Sequence, residues 1–186
     1  MESKEEVLRI IDLLNDTYES EQAWHGSSVV EILRGVSPKM ADKRLSPSTH
    51  TIAELVFHMT TWRIFVVRKL QGDVTFDIKT KEKNWKTFSI MDELEWETLQ
   101  MELSLSQEEL VSELEKRTED DFLDQIVPGR NYSYYTMLHG LINHDLYHGG
   151  QIALIKKGLS MDSFGNEDLE DLQDSDTFEE NYGEFN

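Results

Sequence analysis

GLINHDLYHGGQIALIKK, residues 140–157, decides how the rest of the chain is read. Leu141, His144, His148, Ile152 and Ile155 recur at spacings of three and four, the signature of one helical face. Apolar residues on that face are expected to point into a core, so the two imidazoles among them point inward as well. Residues four apart on a helix hold their Cβ atoms about 5–6 Å apart. Both rings can therefore reach one ion at the usual nitrogen–metal distance of about 2.0–2.1 Å. The pair Gly149-Gly150 that follows weakens the helix by about 1 kcal/mol per residue, which makes sense if another helix or a ligand must come close.

Working outward, the other periodic segments are helical too, and none shows sustained strand alternation. Ser133 can cap the last helix, which is predicted to end at Gly158 with Lys156 and Lys157 near its C-terminal dipole. Residues 3–20 carry Val7, Leu8, Ile11, Leu14 and Tyr18 on one side. A short helix is predicted over residues 28–33, and Ser37-Pro38 suits the cap and first position of another turn. Thr51 and Glu54 fit a capping box opening a helix to about Leu70, with Leu55, His58, Met59, Trp62, Phe65 and Val66 inward and a stop at Gly72. Residues 73–90 read as a loop covering one end of the molecule with Phe76, Trp85 and Phe88. A long amphipathic helix over residues 91–117 carries Leu94, Trp96, Leu99, Leu103, Leu110 and Leu114. Pro128-Gly129-Arg130-Asn131 signals a turn, as in a small hairpin. Four principal helices with long connections make an all-α four-helix bundle over residues 1–159.

His58 sits one turn after Leu55 and one before Trp62, so it too faces inward. A single core histidine is ordinarily satisfied by one hydrogen bond. Three buried imidazoles without an ion leave several nitrogens needing partners. His58, His144 and His148 are therefore the candidate metal ligands, provided their helices are neighbours. Three histidines suit zinc or another borderline divalent ion and leave a position open for water or substrate. A metal there can activate a water or a substrate thiol. The zinc-protease pattern needs Glu after the first His, and this helix has Asp145. Glu54 one turn before His58 is either the helix cap or a further ligand; Asn143 and Asp145 either orient an imidazole or face solvent. His139 lies about 140° round the helix from His144 and is excluded, and His25 and His50 read as loop residues. Trp24, Trp62 and Tyr147 are candidate pocket aromatics.

The whole chain has 186 residues, no cysteine and a formal charge of -19. Thiolate ligands and disulfides are thereby excluded, and nucleic acid is disfavoured because phosphate binding needs clustered bases. Ten acids and no Lys or Arg fall in residues 160–186, leaving -9 on residues 1–159. That block reads as a disordered, solvated acidic tail, or as a partner-docking segment through its scattered aromatic and leucine residues. Neither a signal-peptide core nor a membrane-length apolar run is present, and the expectation is a soluble, cytoplasmic protein.

WHGSSVVEILRGVSPKMA, HTIAELVFHMTTWR and GLINHDLYHGGQIALIKK, in that order, resemble the DinB-like (DinB/YfiT) superfamily of metal-binding four-helix bundles, over about residues 4–158. The resemblance implies a divalent metal, zinc most often or nickel, on His58, His144 and His148. It also implies a metal-dependent S-transferase using a low-molecular-weight thiol, or a hydrolase, and it allows a homodimer. The alternative reading is a non-catalytic metal-binding or sensing bundle whose tail docks a partner.

Overall fold

The computed structural model describes residues 4–164; the acidic stretch beyond, and the expectation attached to it, lie outside the described residues. Among the described residues the regular elements are helical: α1 (Glu5–Tyr18), α2 (Val29–Leu33), α3 (Pro38–Asp42), α4 (Ile52–Leu70), α5 (Lys81–Asn84), α6 (Glu93–Glu115), a 3-10 turn (Asp121–Asp124) and α7 (Tyr134–Phe164). The four long helices form the bundle: α4 packs on both α6 and α7, and α1 touches α6 and α7. The short α2 leans on α7, and α3 on α4 and α6.

Local chemistry sets the helix starts. Thr51 Oγ1 accepts from Glu54 N at 3.1 Å while Glu54 Oε2 accepts from Thr51 N at 3.2 Å, the reciprocal capping box that begins α4. Ser28, Ser37 and Asp92 cap α2, α3 and α6 through their side-chain oxygens. Ser133 Oγ accepts from Thr136 N at 3.3 Å at the head of α7. Just before it, Val127 N donates to Tyr132 O and Tyr134 N to Gln125 O, both at 3.0 Å, so the expected hairpin is real but one bridge long. Gly129 supplies its turn with φ of 77°.

Three readings need correction. Leu8 is 50% exposed and Leu94 73% exposed; Ile10 takes the inward place on α1, and α6 turns its first leucine to water before Trp96 enters the core. Helix α7 does not stop at Gly158 but runs on to Phe164, with Leu159 buried. Gly158 is there for room: a Cβ at this position would stand 2.5 Å from Leu45 Cδ1. Lys156 does not serve its own helix end either. Its Nζ donates to Ile32 O at 2.9 Å and Arg34 O at 2.6 Å, satisfying carbonyls at the end of α2.

Gly140, in the same helix, meets nothing within 4 Å of an added Cβ. Gly140→Ala is therefore expected to stabilise the fold by about 0.5–1 kcal/mol, through the backbone entropy that alanine saves in a helix. Gly158→Ala, which must displace Leu45, is expected to forfeit that gain; urea midpoints of the two variants against wild type make the comparison.

The core divides into two clusters. One gathers α1, the C-terminal halves of α4 and α6 and the start of α7. The other gathers α2, α3, the N-terminal halves of α4 and α6 and the end of α7. His58 follows Leu55 of the second cluster and precedes Phe65 of the first; His144 and His148 lie between Leu141 and Ile152. The polar residues thus form a layer at the seam.

Candidate metal centre

Helices α4 and α7 bring the three predicted histidines together. His58 Nε2 and His144 Nε2 are 3.1 Å apart, and the ring centroids are separated by 5.0 Å (His58–His144), 4.8 Å (His58–His148) and 4.4 Å (His144–His148). One ligand atom from each ring fits within a mutual separation of 4.8 Å, so the trio can hold a metal ion.

The outer nitrogens say which inner ones are free. His58 Nδ1 lies 3.0 Å from the carbonyl oxygen of Asn84. A carbonyl only accepts, so Nδ1 carries the hydrogen and Nε2 presents its lone pair to the other rings. His148 Nδ1 is 2.7 Å from Gln151 Oε1, one turn further along α7, which orients that ring in the same way. His144 Nδ1 and Asp145 Oδ1 are both buried without a hydrogen-bond partner and stand 3.7 Å apart. A small rotation would join them, the carboxylate–histidine pairing that metal sites favour.

Burial is the main reason His58 and His148 resist protonation. It pushes His58 down to about 4, reinforced by its neighbours His144 and His148 and opposed by the bond to Asn84. His148 is lowered as well, again chiefly by burial. Neutral imidazole is the ligating form, so the fold holds both rings ready for a metal. The three-imidazole donor set fits a borderline divalent ion.

Around the trio, Trp85 lies flat on His58, with centroids 3.9 Å apart and planes at 5°, and its ring also stacks on His50 at 3.8 Å. The 73–90 segment therefore covers the histidines themselves, not merely an end of the bundle. The short helix α5 places Asn84 and Trp85, two partners that loop composition could not reveal. Trp62 stands edge-on to His58 at 6.3 Å and tilted to His144 at 5.7 Å. Tyr147 meets the His148 ring at 5.0 Å although it is 65% exposed, whereas Trp24 is 100% exposed and takes no part.

Other polar residues resolve as follows. Glu54 caps α4, and its oxygens are occupied by Thr51, Arg44 and His50, so it does not join the trio. Asn143 faces solvent. His139 packs on Tyr135 at 4.3 Å, away from the trio. His25 lines a separate cavity with Asp145, Gly149 and Gly150. Gly149 lets α2 approach, Ile32 Cδ1 standing 3.5 Å from its would-be Cβ, but Gly150 borders open space and shows no such neighbour.

Asp145 is 1% exposed; its Oδ2 reaches Arg63 of α4, which is fully buried, while Oδ1 stays on the His144 side. Oδ2 lies 2.9 Å from Nη2 and accepts from Nε at 3.2 Å. Arg63 went unassigned from sequence. The available signal was an arginine within an inward-facing stretch of α4, which demands a buried carboxylate.

Residues 21–152 match the sequence profile of the DinB superfamily. The chain belongs to the DinB superfamily. The matched region contains all three histidines, Trp62, Arg63, Trp85 and Asp145, so the superfamily assignment and the trio coincide. No curated protein and no solved structure matches the chain. No helix of the described residues is long and apolar enough to cross a membrane.

Proposed function

We propose that this DinB-superfamily protein is a metal-dependent enzyme that delivers a nucleophile, a low-molecular-weight thiol or water, to an electrophilic carbon. His58, His144 and His148 would hold the ion, zinc in the first place and nickel in the second. The observation that carries this reading is the donor count: three converging imidazoles, with Glu54 committed elsewhere, and no further acid or histidine in the group among the described residues. Structural zinc sites are closed by four protein ligands, whereas catalytic sites supply three. A bound ion would provide Lewis-acid activation of the nucleophile.

The chain's own residues prepare the place. Asn84 O and Gln151 Oε1 hold the His58 and His148 tautomers, and burial keeps those rings neutral. Trp85 and Trp62 wall off water from two sides of His58. In the thiol reaction the S–C bond forms as the bond to the leaving group breaks, and the thiol proton departs to solvent. In the hydrolytic one, water supplies the oxygen and both protons.

Elemental analysis of purified protein, followed by assays of thiol conjugation to a chlorodinitrobenzene and of nitrophenyl acetate hydrolysis, tests the proposal. About one zinc or nickel per chain is expected, with turnover lost on chelation and restored by the metal, and with His148→Ala retaining neither. Stoichiometric metal without turnover in either assay would overturn the enzymatic reading and favour a metal-binding or sensing bundle. Absence of metal, with zinc affinity unchanged in His148→Ala, would overturn the site itself.

A further inference from the structure

A second feature adjoins the histidines. Between α4 and α7 lies a cavity of about 260 Å³, and His144 forms part of its lining. Trp62, Phe65 and Val66 of α4 face Met137 and Leu141 of α7 across it. The residues along α7 from Met137 through Gly140 and Leu141 to His144 follow the three- and four-residue spacing of one helical face, so the cavity runs along that face to a ligand of the proposed metal.

Two properties narrow what it accepts. Its lining holds no carboxylate, lysine or arginine, so charged groups gain nothing there. Its volume exceeds the roughly 150 Å³ that takes a benzene molecule, leaving space for a fused bicyclic ring or a medium-length alkyl chain.

Resting on the metal-dependent reading above, we infer that this cavity takes the uncharged apolar arm of the electrophile, an alkyl or aryl group. The thiol or water then comes from the side not occupied by this arm. Gly140 is exposed, and a Cβ there would meet nothing within 4 Å, so a side chain at this position can be added at the mouth without disturbing the packed walls.

The test is a ladder of hydroxamates, aceto-, hexano-, octano- and benzohydroxamate, titrated by calorimetry into the zinc-loaded full chain. The hydroxamate head is common to all, so the ratio of each affinity to that of acetohydroxamate reports the cavity alone. That ratio is expected to rise about three- to fourfold for each methylene buried until the cavity is full. In Gly140→Phe the octano-to-aceto ratio is expected to fall at least tenfold. A flat ladder in wild type, which needs no variant, would overturn the assignment while acetohydroxamate binding left the metal reading standing. Binding of none of the four would remove the metal reading and this inference with it. If a second copy of the chain fills the cavity, the ladder is flat and Gly140→Phe lowers the oligomeric mass, which also overturns it.

Discussion

Asp145→Leu is expected to destabilise the protein by about 3–5 kcal/mol, the cost of leaving one member of a buried ion pair without its partner. Arg63 is fully buried and Asp145 is 1% exposed, so water cannot compensate the orphaned guanidinium. The Tyr18 ring, 4.7 Å from the guanidinium carbon, offers it a cation–π contact but no acceptor. At the size of this chain the loss corresponds to a fall in Tm of roughly 10 °C. Arg63→Met combined with Asp145→Leu should recover most of it, because replacing both charges with apolar groups of similar volume is often neutral or better. Metal affinity is expected to behave differently. Asp145 Oδ1 stands 3.7 Å from His144 Nδ1, a small rotation short of a hydrogen bond, and losing a carboxylate that orients a metal-bound imidazole costs about 10- to 100-fold in affinity. That loss should persist in the double variant, where stability returns. Urea denaturation and competitive zinc titration on wild type and the two variants separate the roles; an Asp145→Leu variant within 1 kcal/mol of wild type would show that the pair does not carry this load.

What the sequence disclosed follows from the range of its signals. Helical periodicity is local, so it placed His144 and His148 on one face of α7 and His58 on the inward face of α4, and capping chemistry located the start of α4 at Thr51. Neighbourhood between α4 and α7 is not local and needed the fold. Arg63 and Asp145 are 82 positions apart, and although the period of α4 leaves Arg63 on its inward face, no local pattern says which of the many carboxylates meets it. Trp85 belongs to a segment with no sustained period, so its stacking on His58 depends on how α5 and its neighbours close over the bundle. The errors have two causes. Leu8 and Leu94 satisfy a helical spacing at its margin, where a rotation of a few tens of degrees exchanges core for solvent. Gly158 was read by backbone propensity as a stop, although the helix carries on through it with Leu45 packed alongside.

Acidification of the metal-free protein is expected to remove stability between about pH 6.5 and about pH 4, on the order of 2–3 kcal/mol from His58. The sign follows from where the proton binds. Burial holds His58 down to about 4 in the folded protein, against an ordinary value of about 6.5 for the unfolded chain. Across that window the unfolded state binds the proton and the folded state does not, so falling pH favours unfolding; near the lower limit the native ring protonates too and the slope ends. His148, lowered for the same reason, adds to the effect. Glu54 and Glu113 are also lowered, which brings acid loss from carboxylates into the lower part of the window. The comparison is therefore wild type minus His58→Gln, in chelator, by thermal melting from pH 8 to pH 4.5. The variant is expected to show the shallower decline above pH 5. Saturating zinc adds about 2.7 kcal/mol at a hundredfold excess over Kd, and does so only for wild type. Because the folded protein already keeps His58 neutral, that increment should survive to pH values at which a solvent-exposed imidazole would be mostly protonated. A metal-free stability equally steep in both proteins would show that the burial of His58 is not what sets its protonation.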